Sequence, residues 1–181
     1  MAAAPQPIET ARLQLVPFAP QDLLALIEGV AQFEARRGLR VADGVRDFFV
    51  SGEVSPEWLA RLRSSTEVDP WRQGSAVVER DANGPGCVIG SVGFKGPPDD
   101  AGVVEIAYGI APGRQGHGFA TEAAAALTDF AFADPRVRTV IAHTLPEPNA
   151  STHVLIKCHF RRVGEVVDPE DGLVWRWQRD R

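Results

Sequence analysis

The stretch from Val103 to Glu122 reads VVEIAYGIAPGRQGHGFATE and concentrates residue types that do chemistry. Glycines at 113, 116 and 118 let main-chain N–H groups approach an anion, and a helix starting near Phe119 adds roughly half a positive charge at its N-terminus. No acidic residue occurs between Ala107 and Thr121, whereas Arg114 and His117 do, so the local sign suits a phosphate. A glycine turn that merely starts a helix is the plainer alternative. On the preceding strand, period-two alternation sends Glu105, Ala107 and Gly109 to one face and Val104, Ile106, Tyr108 and Ile110 to the other. A carboxylate beside two nearly absent side chains suggests a surface open to a ligand; an exposed Glu on a solvated sheet face is the alternative. The loop is neither a dinucleotide fingerprint, which wants Gly or Ala at Thr121, nor a P-loop, which wants Gly-Lys-Ser/Thr.

The elements that must position these groups follow from periodicity. A first strand is expected at Arg12–Phe18, then a helix entered through Pro20 and Asp22 with a buried stripe of Leu23, Leu24, Leu26 and Ile27. Between Gly29 and Gln73 short helical pieces are expected, one capped by Ser55 before Pro56. Strands at Ser75–Arg80, Cys87–Lys95 and Val103–Ile110, joined by turns at Asp81–Gly86 and Gly96–Asp100, predict antiparallel hairpins. A helix with Phe119, Ala123, Ala126, Leu127, Phe130 and Ala131 follows, then a strand at Arg138–His143, a short helix near Asn149–Cys158, and strands at Phe160–Val167 and Leu173–Gln178. This order predicts an α+β (mixed α/β) fold, one domain over residues 1–181 with residues 1–9 as a flexible start.

Composition narrows the partners. The 181 residues carry 19 Lys and Arg against 24 Asp and Glu, a net charge of −5, with no basic patch that would attract nucleic acid. No segment has the apolar length of a membrane span, and residues 1–7 lack the features of a signal peptide, so a soluble cytoplasmic protein is expected. Cys87 and Cys158 are expected to be reduced structural thiols, and the spacing of His153, Cys158 and His159 does not make a metal site.

The motifs together resemble the GNAT acyl-CoA N-acetyltransferase superfamily, within it the RimJ/RimL-like branch of ribosomal-protein alanine acetyltransferases. Thr10-Ala11-Arg12-Leu13-Gln14-Leu15 is similar to that branch's opening strand, and Val104-Glu105-Ile106-Ala107-Tyr108 to its acceptor-side strand. Gln115-Gly116-His117-Gly118-Phe119-Ala120 resembles the pyrophosphate pattern Gln/Arg-x-x-Gly-x-Gly/Ala, continued by Thr121-Glu122-Ala123. Pro148-Asn149-Ala150-Ser151 resembles the segment opening the last helix, and Phe160-Arg161-Arg162-Val163-Gly164 the strand after it.

The resemblance implies a central, mostly antiparallel mixed sheet that splays after Val103–Ile110, and direct attack of a primary amine on acetyl-CoA in a ternary complex. The backbone of Ile110 and Ala111 would bind the pantetheine arm, the amides of Gln115, Gly116, His117, Gly118, Phe119 and Ala120 the pyrophosphate, and Asn149 the cofactor arm. Glu105 would help remove the amine proton and Ser151 would protonate the departing thiolate. Asn149 is equally a good helix cap. Phe33, Phe48, Trp58 and Trp71 would face the acceptor, a small molecule or a protein N-terminus, and no metal is implied. A homodimer is compatible with the same resemblance. Two departures favour a rival, an acyl-CoA-binding sensor that no longer transfers: Leu155 stands where many relatives have Tyr, and His159 where Gly usually precedes Phe160.

Overall fold

A computed structural model describes residues 5–52, 54–81, 84, 86–169 and 171–181. Along the chain run β1 (Ile8–Glu9), β2 (Leu13–Pro17), α1 (Pro20–Glu28), α2 (Val30–Arg37), β3 (Arg40–Val41), α3 (Asp47–Val50), α4 (Pro56–Ser64), α5 (Pro70–Gln73), β4 (Ser75–Glu79), β5 (Cys87–Phe94) and β6 (Val103–Ile110). A 3₁₀ turn at Pro112–Arg114 leads to α6 (Phe119–Ala133), followed by β7 (Thr139–Thr144), α7 (Ala150–Lys157), β8 (Arg161–Asp168) and β9 (Gly172–Asp180).

Local chemistry explains most of these starts. Leu13 and Leu15 of β2 are fully buried, as their alternation requires. At α1 the Asp22 carboxylate accepts from the Ala19 N–H at 2.9 Å, with Pro20 inside the first turn. Ser55 Oγ accepts from the Trp58 N–H at 3.3 Å and caps α4. Asp22 is almost completely buried and is compensated by Arg36 at 2.8 Å and Arg37 at 3.4 Å, which tie α1 to α2.

Among the described residues the strands form one sheet in the order β1-β2-β4-β5-β6-β7-β9-β8, with β3 beside β5. Pairing is antiparallel except for β3 with β5 and β6 with β7, so the sheet is mixed and mostly antiparallel. One face is covered by α6 and α7 over Val104, Ile106, Ile110, Phe119, Ala123, Leu127 and Leu155. The other is covered by α1, α2 and α4 over Phe18, Leu23, Leu26, Phe33, Leu62 and Val88. Free Cys87 and Cys158 are both buried, and no helix among the described residues is long and apolar enough to cross a membrane.

One expectation changes, and part of another lies outside the described residues. Ile8 and Glu9, placed in a flexible start, pair antiparallel with Leu15 and Gln14, because the Thr10–Ala11–Arg12 corner folds the chain back on itself. Ala82, Asn83 and Pro85 of the expected Asp81–Gly86 turn lie outside the described residues, as does Glu170 in the β8–β9 turn.

Candidate active site

The feature that organises the site is where β6 stops pairing. Its parallel partnership with β7 runs through Val103–Thr139, Val104–Val140 and Glu105–Ile141 and goes no further, while antiparallel pairing with β5 continues to Ile110. Lys95 N–H bonds the Glu105 carbonyl at 3.0 Å and Ala111 N–H bonds the Ile89 carbonyl at 2.8 Å. Odd-numbered residues of β6 therefore direct their main-chain groups at β5, and Ile106, Tyr108 and Ile110 present theirs to the opening beside β7.

That parity corrects one assignment. Ala111, expected to offer its backbone to a cofactor arm, is fully buried with its N–H engaged by Ile89, so Tyr108 and Ile110 hold the open main-chain edge instead. The Ile110 carbonyl already accepts from Gln115 Nε2 at 2.9 Å, which leaves its N–H facing the gap.

Downstream, the glycine loop turns into α6 through two left-handed residues. Gly116 and Gly118 adopt φ of +79° and +81°, conformations that side-chain-bearing residues rarely adopt. Gly118 caps α6 without a side chain, and Glu122 N–H bonds the Gly118 carbonyl at 3.1 Å, so the amides of Phe119, Ala120 and Thr121 have no partner inside the helix. Gln115 N–H turns back to the Pro112 carbonyl at 3.4 Å, so this amide, expected at the pyrophosphate, is already engaged within the loop. His117 Nδ1 donates to the Gln115 carbonyl at 2.8 Å and its ring stacks on Phe119, closing the loop.

Arg12 and Glu122 make a support that sequence inspection did not single out. Glu122 accepts from Thr10 Oγ1 at 2.6 Å, from Arg12 N–H at 2.8 Å and from Arg12 Nε at 2.8 Å, while Arg12 Nη1 donates to the His117 carbonyl at 2.8 Å. The Arg12 guanidinium also lies 4.6 Å from the centre of the Phe119 ring. Burial works against the Glu122 carboxylate, but the bonds from Thr10 and Arg12 outweigh it and hold its pKa below the ordinary value.

Three cavities meet at this edge. One of about 480 Å³ is lined by Ile110, Arg114, Gly116, Phe119, Ser151 and Lys157. A second of about 500 Å³ contains Glu105, Lys95, His143, Asn149, Ser151 and Asp171. The third, about 450 Å³, lies over Ser91, Gly93, Ala107 and Gly109 beside Phe48 and Arg72. Tyr108 borders all three, and Ser151 borders the first two. Tyr108 donates its hydroxyl to the Ser151 carbonyl at 3.2 Å, and burial raises the phenol pKa, so it remains protonated.

The other candidates divide. Asn149 caps α7, its Oδ1 accepting from Thr152 N–H at 3.0 Å, and it also borders the Glu105 cavity. Phe48 is 43% exposed, packs over Gly109 and borders two cavities. Phe33 does not belong to the site: it is buried in an edge-on contact with Phe18. Trp71 is likewise absent, packed 4.5 Å from Phe94 and 5.6 Å from Phe130 by ring centres. Trp58 is half-buried and borders a further cavity that shares Arg72 and Gln73 with the third and Lys95 with the second. For Phe33 and Trp71 apolar packing decided the position. Leu155 is fully buried in the core, so the last helix offers no hydroxyl there. His143 and Lys95, unnoticed in the sequence, both bond Glu105 Oε1 at 2.9 Å. Burial would lower the Lys95 pKa, yet the Glu105 bond outweighs it and raises it.

Comparison with known proteins places the chain in a family. Residues 12–161 match the Acetyltransferase (GNAT) domain. Over 83 residues the chain is 32% identical to the uncharacterized N-acetyltransferase p20 of Bacillus licheniformis, covering 46% of this chain and 47% of that one, about half the relative's length. A GNAT-family acetyltransferase of Bacillus anthracis superposes with a TM-score of 0.64 at 19% identity, over 97% of this chain and 98% of that one. RimL, a ribosomal-protein alpha-N acetyltransferase solved in complex with coenzyme A, superposes with a TM-score of 0.63 at 15% identity, over 97% and 98%. The structural likenesses establish the fold, and the match across residues 12–161 shows that the chain belongs to the GNAT acetyltransferase family.

Proposed function

We propose that the chain acts as one N-acetyltransferase domain, moving an acetyl group from acetyl-CoA to a primary amine by direct attack in a ternary complex. The observation that carries this is the meeting of two cavities at Tyr108 and Ser151, one floored by the uncapped loop amides and the other holding Glu105.

Each group has a task that its chemistry suits. The amides of Gly116 to Ala120, with Arg114, His153 and Lys157 around the same cavity, favour a diphosphate. The free edge of Tyr108 and Ile110 can pair with the amide-rich pantetheine arm as a strand would, and the Ile110 N–H can polarise the thioester carbonyl. Glu105 supplies the carboxylate that draws a proton from the acceptor ammonium, directly or through the groups bonded to it. Ser151, which borders both cavities, would return a proton to the thiolate, and the Asn149 amide donor would serve the cofactor arm. The acceptor amine would meet Glu105 in that residue's own cavity, and the surface over Ala107 and Gly109, walled by Phe48 and joined to it at Ala107, would hold the rest of the acceptor.

The test is release of coenzyme A thiol from acetyl-CoA over a panel of amines, aminoglycosides and ribosomal-protein N-terminal peptides. Amine-dependent release supports transfer. Tight coenzyme A binding with no turnover on any acceptor would assign the chain to the sensor class instead.

A further inference from the structure

The Glu105 cavity holds one group that this reading leaves without a task. His143, on β7 two residues beyond the last β6–β7 pair, directs Nδ1 at Glu105 Oε1 at 2.9 Å. Its Nε2 is buried and has no hydrogen-bond partner. Only 16% of the His143 side chain and 18% of the Glu105 side chain is exposed.

The tautomer follows from the neighbours. Glu105 Oε1 also accepts from the Lys95 ammonium at 2.9 Å, so this oxygen is an acceptor and the hydrogen of the imidazole contact belongs to Nδ1. In the neutral ring Nε2 then carries the lone pair, with no donor facing it among the described residues. Buried acceptors are seldom left so, because the desolvation they suffer is not offset. His143 lines the cavity, so a small turn of the ring would bring Nε2 to an acceptor ammonium there, which carries the N–H that Nε2 lacks.

We propose that His143 Nε2 takes the proton from the acceptor ammonium, with Glu105 as the positioning residue that fixes the ring and balances the charge it gains. The inference rests on the acetyltransferase reading. One N–H bond of the ammonium breaks and its proton moves to Nε2, while the electron pair stays on nitrogen for attack on the thioester carbon. The C–S bond then breaks, the second nitrogen proton leaves toward the thiolate, and the imidazolium discharges to solvent. A carboxylate behind a ring nitrogen, with the opposite nitrogen free, is the arrangement by which imidazole works as a general base. The charged groups around the ring are Glu105 on β6, Lys95 just past β5, Asp171 in the β8–β9 turn, and Arg176, its cross-strand neighbour on β9. Two carboxylates, Glu105 and Asp171, against the single ammonium of Lys95 among the lining residues suit a cationic acceptor.

The experiment compares His143→Asn, His143→Ala and Glu105→Gln, with coenzyme A affinity and thermal unfolding measured on each. His143→Asn keeps an N–H for Glu105 but has no basic nitrogen. We expect kcat to fall roughly 100-fold or more at neutral pH with coenzyme A affinity unchanged, and the deficit to shrink at high pH, where the amine is already neutral. Added imidazole should restore His143→Ala at least about tenfold by filling the vacated space with a base. A His143→Asn enzyme within about threefold of the wild type, beside an inactive Glu105→Gln, would overturn the proposal and make Glu105 the acceptor. So would His143→Ala that binds coenzyme A yet ignores imidazole. A wild-type protein silent on every amine would instead remove the transferase reading on which the proposal stands.

Discussion

At His159 the backbone takes φ of +64°, alone among the described side-chain-bearing residues. The bonds around it explain why: His159 N–H reaches the Ile156 carbonyl at 3.0 Å and Phe160 N–H reaches the Leu155 carbonyl at 2.9 Å, a helix stop that requires a left-handed residue between them. A residue with a Cβ in that conformation costs about 1 kcal/mol relative to glycine. His159→Gly should therefore raise the midpoint of thermal unfolding by roughly 2–4 °C. An unchanged or lower midpoint would mean that the imidazole offsets the strain. Gly118 shows the converse. At φ of +81°, with Arg12 Nη2 3.4 Å from where a Cβ would sit, Gly118→Ala should strain the cradle. We expect coenzyme A affinity to fall about tenfold or more by calorimetry, a loss of roughly 1.4 kcal/mol, with the circular dichroism spectrum unchanged.

At the scale of elements, the tie between the start of β2 and the start of α6 joins residues more than a hundred positions apart. Arg12 bonds the His117 carbonyl and Glu122 together, so the first strand orients the glycine loop. Arg12→Ala should weaken coenzyme A binding several-fold more than it changes the stability of the fold, because Arg12 is half exposed yet holds a carbonyl of the cradle. A change in unfolding with no change in coenzyme A affinity would show that the loop keeps its shape unaided. Glu122 makes the same tie sensitive to pH. Its folded-state pKa lies below that of the unfolded chain, so its contribution is complete above the unfolded value of about 4.3 and is lost as pH falls through the folded one. The stability gap between wild type and Glu122→Gln should be widest near neutrality and should close as pH drops below 4.3 or so, read by thermal melts across pH. A gap independent of pH would assign the loss to geometry.

For the whole molecule, the parts legible in the sequence are those governed by local rules. The Val103–Ile110 strand, the Ser55 cap on α4 and the Asn149 cap on α7 appear where expected, because alternation and capping are properties of adjacent residues. Motif order made the α+β family fold legible as well. What escaped depends on which strand lies beside which. The Ala111 amide is unavailable because of strand parity, Phe33 and Trp71 are in the core because of packing, and His143 meets Glu105 only because β7 runs parallel to β6. No spacing along one chain encodes those facts. The whole arrangement of splayed strand, cradle and facing cavities makes sense if a diphosphate ester seats between α6 and α7 with its arm along Tyr108 and Ile110. Isothermal titration of the folded protein with coenzyme A reads that claim most directly. A saturable heat with a dissociation constant between about 1 μM and 1 mM, weakened in Gly118→Ala, is the predicted result. Absence of any heat from a protein that unfolds cooperatively on warming would contradict it.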